Sequence, residues 1–473
     1  MAVEKYLASL MEQKMSVEPT QGQKTLFQNL GEFLVAPPDE FQLLVVRGYA
    51  GTGKTTAISA FINVLKDYKY KYILLAPTGR AAKVLSNYSG VKARTIHKQI
   101  YRQKSLSDKE ARFSLDFNKN RDTVFIVDEA SLITIGTGME GTIFGSGDLL
   151  EDLITYIRQN QGNRLVLMGD SAQLPPIGMD ESPALDRDYL MQYADVKMVT
   201  LTEVVRQAGE SGILHNATLL REIISSGEPR EPHFCCRGFE DFKRISGGEL
   251  IEELDWAISR FGLDDVVVLC RSNMRANKYN MGIRQTVLFM EEQLTRGDKL
   301  MIVKNCYQFL EDVPQLDFIA NGDVAELVRI GNYEERYGLN FAQATLRFPD
   351  YEDVEIDAKI VLDTLQSVSP ALDKGQQRAL FEGVYADYEH ITLRRKRMEK
   401  VREDQYYNAL QIKYATAITG HKSQGGQWKC VFVDNNLWRD ELSMDELKWL
   451  YTAITRGVEK VYLVNFNDKY FEG

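Results

Sequence analysis

One glycine-rich segment constrains the fold more than any other part of the chain. Residues 48–55 read Gly-Tyr-Ala-Gly-Thr-Gly-Lys-Thr, which is the pattern G-x-x-x-x-G-K-T. An apolar run at 43–46 precedes it, as expected for a buried parallel strand. Apolar residues then recur at helical spacing, at positions 58, 61, 62 and 65. The order strand, loop, helix is the context in which this pattern forms an anion-binding loop, and it argues against a chance match.

The composition of this loop predicts a polyphosphate site. Glycines let backbone N–H groups converge on phosphate oxygens, and the helix N-terminus adds partial positive charge. Lys54 is positioned to reach the β- and γ-phosphates, and the Thr55 hydroxyl is positioned to ligate Mg²⁺. The predicted nucleotide-binding residues of the loop are Gly48, Ala50, Gly51, Thr52, Gly53, Lys54, Thr55 and Thr56.

Two further strands end in polar residues that suit the same site. Asp128 and Glu129 follow the apolar run 124–127, and Gln173 follows the run 165–168. The carboxyl ends of parallel strands share one edge of a sheet, where ligands bind. Asp128 is suited to hold Mg²⁺, Glu129 to polarise an attacking water, and Gln173 to reach a γ-phosphate. Paired acids after a strand are also common helix caps. The phosphate-binding loop upstream is what favours a role for this pair in the nucleotide site.

Gln23 has two interpretations. Thr20-x-x-Gln23 is a capping box, which is a structural device at a helix start. The side-chain amide also offers a donor and an acceptor, as the edge of an adenine does. The spacing alone favours the cap.

Charge and composition narrow the partners. The 473 residues include 57 basic and 67 acidic side chains, a net charge of −10, so nucleic acid would have to bind in a local basic groove. The N-terminus lacks the pattern of a signal peptide, and no run has the length of a membrane span. The five cysteines include no C-x-x-C pair, which disfavours an iron–sulfur or zinc-ribbon site. We expect a reducing, cytoplasmic compartment and no membrane partner.

The pattern of the chain predicts an α/β protein with two halves. Strand candidates of the first half are 43–46, 71–76, 124–127, 165–168 and 196–201, and those of the second are 266–269, 300–303, 431–433 and 461–464. The polar stretch 99–121 is either a small inserted hairpin or a solvated loop. Within the later insertion, about 321–410, residues 324–361 alternate like short strands and 370–407 read as mostly helix. Its basic run at 394–402 is interpreted as a solvated helix face.

Five motifs in order resemble those of superfamily 1B DNA helicases, in the RecD/Dda/Pif-like branch. They are the loop at 48–55, Val127-Asp128-Glu129-Ala130-Ser131, Gly169-Asp170-x-x-Gln173-Leu174-Pro175-Pro176, His421-Lys422-Ser423-Gln424-Gly425 and Tyr451-Thr452-Ala453-Ile454-Thr455-Arg456. The resemblance runs from about residue 21 to 465. It implies two RecA-like domains, at 1–205 and 206–473, with a pin at 99–121 in the first and an SH3-like barrel at 321–410 in the second. The glycine-rich stretch 131–148 and the basic helical stretch depart from the family pattern.

The resemblance also implies roles for individual residues. Gln23 becomes an adenine contact, and Arg206 and Arg456 become charge-stabilising fingers supplied by the second domain to ATP and Mg²⁺ held by the first. With Lys54, Glu129 and Gln173, they complete the implied catalytic set. The implied single-strand groove comprises Pro77, Thr78, Gly79, Arg80, Thr95, His97, Thr419, His421, Lys422 and Gln424.

The function implied is an ATP-dependent helicase that moves 5′ to 3′ on single-stranded DNA and unwinds duplex junctions in repair, recombination or replication. The direction rests on the resemblance, because charge, periodicity and spacing are silent on it. Two alternatives stay open from the residues. One is an RNA helicase of the same superfamily, since 2′-hydroxyl contacts leave no motif here. The other is a clamp that uses ATP as a switch without unwinding.

Overall fold

Two parallel α/β units and a small barrel make up the molecule. The computed structural model describes residues 3–103, 113–136, 145–176, 178–204, 211–310, 318–437 and 442–472, together with 313 and 316. Within those residues, no helix combines the length and the apolar character needed to cross a membrane.

The first unit is built on a six-stranded sheet, in the order β3-β2-β6-β7-β1-β8, and all of its pairings are parallel. The predicted strands of this half are therefore confirmed. Its elements are α1 (Val3–Gln13), α2 (Gln21–Val35), β1 (Gln42–Gly48), α3 (Lys54–Asp67), β2 (Lys71–Ala76), α4 (Gly79–Ser89), β3 (Arg94–Thr95), α5 (Ile96–Ile100), β4 (Tyr101–Gln103), β5 (Phe113–Leu115), β6 (Thr123–Val127), α6 (Leu149–Arg158), β7 (Arg164–Gly169), α7 (Arg187–Leu190) and β8 (Val196–Leu201).

Strand β1 shows why the sheet is buried on both faces. Leu44 and Val46 pack into the same core cluster as α2 and α3, whereas Leu43 and Val45 pack into the cluster that contains α6. Side chains alternate along a strand, so a continuous apolar run serves both faces. The polar residues that follow each strand are thereby collected at the carboxyl edge of the sheet.

The predicted hairpin at 99–121 is present at its base. Strands β4 and β5 pair antiparallel, from Tyr101 opposite Leu115 to Gln103 opposite Phe113. The ring of Phe113 lies 5.1 Å from that of Tyr307 and 6.2 Å from that of Phe318, centroid to centroid. Residues 104–112, and residues 137–144 of the glycine-rich stretch, lie outside the described part of the chain.

The second unit is a five-stranded parallel sheet in the order β16-β10-β17-β18-β9. Three of its strands lie where the sequence predicts them. The short strands β9 and β16 were not predicted. The elements are α8 (Gly212–Ser226), β9 (Phe242–Ile245), α9 (Leu250–Phe261), β10 (Val266–Cys270), α10 (Asn273–Thr286), β16 (Ala417–Thr419), β17 (Trp428–Asp434), α13 (Met444–Ile454) and β18 (Gly457–Val464).

The insertion forms a closed five-stranded barrel with two helices on it. The prediction that 300–303 belongs to the second sheet was wrong, because this run pairs antiparallel with two barrel strands. The prediction of strands over 324–361 and helices over 370–407 is confirmed. The elements are β11 (Lys299–Ile302), β12 (Val324–Arg336), β13 (Leu339–Phe348), β14 (Val354–Val361), α11 (Lys374–Asp387), α12 (Arg394–Glu403) and β15 (Leu410–Tyr414).

A turn of the barrel docks on α4 of the first unit. The Tyr351 ring lies so close to Gly79 that a Cβ there would come within 2.3 Å of its hydroxyl. Lys83 lies 3.3 Å from Asp350, and the Lys92 ammonium pairs with Glu352. The barrel therefore contacts the first unit, and it contacts the second through Asn280 of α10, whose amide donates to the Tyr414 carbonyl at 3.3 Å.

Candidate nucleotide site and nucleic-acid groove

The loop between β1 and α3 has the backbone that its sequence predicts. Gly51 and Gly53 adopt φ of 77° and 74°, values that favour glycine. The Lys54 ammonium folds back onto the loop, where it donates to the carbonyls of Gly48 and Tyr49, the latter at 2.9 Å. The first turn of α3 thus presents its N–H groups to the inside of the loop, as an anion-binding helix start does.

Gln23 forms the capping box that its spacing predicts. Its Oε1 accepts from Thr20 N–H at 3.0 Å, and the Thr20 hydroxyl accepts from Gln23 N–H at 3.3 Å. The fully buried side chain also donates to the carbonyls of Thr52 and Gly53, at 3.3 and 3.4 Å. Its amide therefore supports the phosphate-binding loop directly, while the adenine contact stays a prediction.

Asp128 is the carboxylate that the sequence assigns to Mg²⁺. It is half-buried, and its carboxylate accepts from the Tyr88 hydroxyl at 2.7 Å and from Glu129 N–H at 2.8 Å. Burial and the nearby Asp128 charge raise the pKa of Tyr88. The Thr55 hydroxyl at the start of α3 is exposed. A carboxylate and a hydroxyl are hard oxygen donors, so the residues present fit Mg²⁺. In the described part of the chain, His, Cys, Asp and Glu form no cluster of three that would hold a metal by protein ligands alone.

Glu129 faces an arginine of the second unit. The Arg456 guanidinium lies 3.8 Å from the Glu129 carboxylate and is itself 4% exposed. It is held by the carbonyls of Thr452 and Gly426, at 3.2 and 3.3 Å. Burial raises the pKa of Glu129, and the Arg456 charge opposes that rise. Glu129 also adopts φ of 51°, which is uncommon outside glycine and frequent at functional sites.

Tyr451 was missed as a site residue, although it lies in a motif that the sequence singled out. Its hydroxyl donates to Asp170 at 2.7 Å and accepts from Ala50 N–H at 2.9 Å, and its side chain is 1% exposed. One side chain of α13 thereby joins the phosphate-binding loop to the end of β7. The only sequence signal was its place in the motif that ends in Arg456.

The segment after β7 also meets the second unit. Leu174 N–H donates to the Thr452 hydroxyl at 2.9 Å, and the Gln424 amide donates to the Leu174 carbonyl at 2.6 Å. Gln173 next to it is 7% exposed, and its Oε1 has no partner among the described residues. Arg206 lies outside the described residues, as do 205–210 altogether.

The predicted strand-binding residues line one groove of about 400 Å³ between the two units and the barrel. Thr419 ends β16 immediately before the groove and is not among its lining residues. The lining also contains residues that the sequence analysis missed, among them Phe318, Asn321 and Trp428. The predicted residues that it contains are Pro77, Thr78, Gly79, Arg80, Thr95, His97, His421, Lys422 and Gln424.

Cations and aromatic rings both line this groove. The Arg80 guanidinium stacks 4.0 Å from the Trp428 ring and donates to the Gln427 carbonyl at 3.2 Å. The Lys422 ammonium donates to the side chain of Asn321, and burial lowers the pKa of this lysine. Burial likewise lowers the pKa of His97 to about 4, so its imidazole is neutral at physiological pH. A lining that combines cations with aromatic side chains suits a single strand bound through its phosphates and base faces.

Comparisons with known proteins find matches to two family models and to several relatives. Residues 21–228 match the model of an AAA domain, and residues 414–464 match a UvrD-like helicase C-terminal domain. The ATP-dependent RecD2 DNA helicase of Deinococcus radiodurans is 29% identical over 232 residues, which cover 45% of this chain and 28% of that protein. An uncharacterized protein of Methanocaldococcus jannaschii, MJ1519, is 22% identical over 89% of this chain and 36% of its own length. This chain therefore spans about a third of the length of these two relatives.

Other relatives match over more of their length. The ATP-dependent DNA helicase dda of Enterobacteria phage T4 is 25% identical over 69% of this chain and 70% of that protein. Among solved structures, Pif1 helicase from Bacteroides, in complex with ADP-AlF3 and ssDNA, has a TM-score of 0.43 and 14% identity, covering 97% of this chain and 95% of that chain.

A phosphate-binding loop on one parallel sheet, faced by an arginine from a second, defines a two-domain RecA-like P-loop fold. The two family models and the RecD2 and Dda relatives indicate which group of proteins with this fold the chain resembles. The chain is similar, in these matches, to superfamily 1B helicases of the RecD/Dda/Pif-like family.

Proposed function

We propose that this chain is an ATP-driven motor that moves 5′ to 3′ on single-stranded DNA and separates the strands of a duplex ahead of it. The observation that carries the proposal is the pairing of Arg456 with Glu129 across the two units, at 3.8 Å. A charge-stabilising arginine on one body and a base on the other make hydrolysis depend on how the two bodies are arranged.

The chemistry assigned to this site is phosphoryl transfer from ATP to water. Lys54 would leave the loop carbonyls for the β- and γ-phosphates, and Glu129 would accept a proton from the attacking water. Thr55 and Asp128 would hold Mg²⁺, which neutralises phosphate charge when bound. Arg456 would stabilise the charge that spreads over the transferred group, and we assign a similar role to Arg206.

Hydrogen bonds between the two units would couple ATP hydrolysis at this site to the groove. Gln424 lines the groove, and its amide donates to the carbonyl of Leu174. The N–H of the same leucine donates to the Thr452 hydroxyl, on the helix that also carries Tyr451. When hydrolysis changes the separation of the two units, Gln424 would move with one wall of the groove. Alternate gripping by the two units then advances the strand, and contacts to phosphate make the motion independent of sequence.

DNA as the substrate, and the direction of travel, rest on the family resemblance and on the names of the RecD2 and Dda relatives. The same resemblance supports an adenine contact by Gln23, an SH3-like identity for the barrel, a pin role for the β4–β5 hairpin, and work in repair, recombination or replication. The experiment must distinguish a DNA helicase from the alternative, an RNA helicase.

The test compares ATP turnover and unwinding on defined substrates. We expect single-stranded DNA to stimulate turnover more than single-stranded RNA, and a duplex with a 5′ tail to be unwound in preference to one with a 3′ tail. Glu129→Gln should keep ATP binding and lose about a hundredfold or more in turnover, because an amide cannot take the proton. Near-normal ATP turnover in this variant would refute the assignment of Glu129 as the general base.

The substrate arms separate the finer parts of the proposal. Stimulation by RNA alone would favour the RNA helicase. Preferential unwinding from a 3′ tail would overturn the direction but leave the motor intact. Turnover without any strand separation on either tail would favour a clamp that uses ATP as a switch.

A further inference from the structure

A second polar cavity, of about 410 Å³, lies beside the candidate nucleotide site. Gln173 and Asp170 form the wall that it shares with that site. Its remaining polar lining comes from both units and includes Arg47, Ser131, Ser182 and Lys448. Of the phosphate-binding loop, it is Tyr49 that lines the cavity.

Three side chains of this cavity are buried without a hydrogen-bond partner. Ser131 is 2% exposed, Gln173 7% and Ser182 9%, and each has an oxygen that no described residue contacts by a hydrogen bond. Ser182 even precedes a short helical turn without capping it. A buried polar atom left unpaired costs about 1–3 kcal/mol, and such atoms are rare in folded proteins. All three residues line this cavity, where the two serine hydroxyls can turn to donate to a ligand and the Gln173 oxygen can only accept.

The alternation of β1 fixes the side of the sheet on which this cavity lies. Side chains alternate along a strand, so the Arg47 side chain points to the same face of the sheet as Leu43 and Val45. These two residues pack on the face opposite α3. Its guanidinium donates to the Leu185 carbonyl on that face, through Nε at 2.7 Å and also through Nη2. The nucleotide loop leads into α3 on the other face. Arg47 therefore reaches the cavity from the face of the sheet opposite α3.

The lining contains two cations, Arg47 and Lys448, and two carboxylates, Asp170 and Glu181. Arg47 has five N–H donors, and the two that it uses share one carbonyl. Both oxygens of Asp170 are already occupied, one by the Tyr451 hydroxyl at 2.7 Å and the other by Ala172 N–H at 3.0 Å. Glu181 also lines the cavity but is exposed at its mouth, opposite Lys448. The inner wall thus offers hydroxyl and guanidinium donors, and its one carboxylate is already satisfied.

We propose that this cavity is a binding site for inorganic phosphate, which it receives from the hydrolysis site and releases through the mouth near Lys448. The proposal rests on the ATPase function proposed above. No covalent step is involved, since the anion moves only after the bond to ADP has broken. A water molecule occupies roughly 30 Å³ in the liquid, so the cavity has room for a phosphate with part of its hydration shell.

The test measures phosphate binding without turnover. The full chain, saturated with Mg-ADP, is dialysed to equilibrium against radiolabelled inorganic phosphate. Ser182→Ala and, independently, Ser131→Ala should each weaken phosphate binding about tenfold or more, since each removes a hydrogen bond to a charged group. The exposed Ser16→Ala is the matched control and should leave binding unchanged. ADP affinity should be the same in all four proteins.

A kinetic measurement completes the design. Quench-flow reports the hydrolysis step, and a fluorescent phosphate-binding sensor reports release, so both serine variants should shorten the lag between the two. Absence of saturable phosphate binding to the ADP-bound wild type would show that the cavity holds only water. Binding that Lys54→Ala abolishes and both serine variants leave intact would place phosphate at the nucleotide loop instead. Intact phosphate binding in a chain without turnover would refute the ATPase function alone.

Discussion

The Glu129 carboxylate has a pKa that two opposing influences set. Burial raises it above that of an ordinary glutamate, and the Arg456 charge 3.8 Å away lowers it. A general base works only when ionised, so turnover should fall as pH falls through this pKa. We therefore expect an acid limb in the pH profile of kcat at higher pH than the ordinary value of about 4.3.

Replacing Arg456 should move that limb in a defined direction. Arg456→Gln removes the charge that lowers the pKa of Glu129, so the acid limb should shift to higher pH, in addition to a loss of roughly a thousandfold in kcat. Arg456→Lys keeps the charge and should hold the limb near its wild-type position, with poor rescue of the rate because the fork geometry is lost. The measurement is kcat against pH with saturating single-stranded DNA. Coincident limbs in all three proteins would contradict the pairing.

Tyr451 supports a second prediction about a single residue. Tyr451→Phe leaves the Ala50 N–H and the Asp170 carboxylate short of a partner at the contact between the units, which should destabilise the protein by about 1–3 kcal/mol. Stimulation of ATP turnover by DNA should fall with it. Tyr462→Phe is the matched control, because it removes a tyrosine–carboxylate bond to Glu253 within one unit. Equal stimulation in the two variants would show that Tyr451 does not couple the units.

Local patterns revealed some site residues and not others. Lys54, Asp128 and Glu129 were predictable because each follows a buried strand or a glycine loop within a few positions. Tyr451 was not, since the group that its hydroxyl accepts from lies 401 positions away in the chain. A contact of that kind depends on how two folded units meet, which no local spacing records.

At the scale of elements, the β4–β5 hairpin makes the sharpest prediction. Gln103 and Phe113 are paired, so residues 104–112 can be replaced by a two-residue Asn-Gly turn that closes the hairpin at that pair. If the replaced segment is the pin, ATP turnover and displacement of streptavidin from a single strand should persist, while unwinding of a 5′-tailed duplex should fall severalfold. Unchanged unwinding would exclude the pin role.

The barrel shows where sequence patterns stop being informative about elements. Lys299–Ile302 is a short apolar run, and such a run fits a buried parallel strand or one wall of a barrel equally well. Its partners decide between them, and these are Val324–Glu326 and Ile412–Tyr414. Strands β9 and β16, of four and three residues, are too short for any periodicity to stand out.

At the scale of the molecule, an acidic chain carries a groove with cations. DNA binding should weaken steeply with salt, because each neutralised phosphate of a single strand contributes about −0.7 to the log–log slope. Lys422→Ala should make the slope shallower by about that amount. Lys429→Ala is the control, since this lysine pairs with Asp265 at 2.9 Å and does not line the groove. Affinities titrated over a range of salt would test this, and parallel slopes would remove Lys422 from the interface.

The docking of the 349–352 turn on α4 has a topological consequence. The turn, α4 and the two units would encircle a strand lying in the groove, so a free end can be threaded, whereas an endless or capped strand requires the turn to lift. Lifting must break the Lys83–Asp350 and Lys92–Glu352 pairs and separate Tyr351 from Gly79. For a strand without a free end, capture and escape would both require this opening, so the time for which the turn stays docked would limit how far the proposed motor travels.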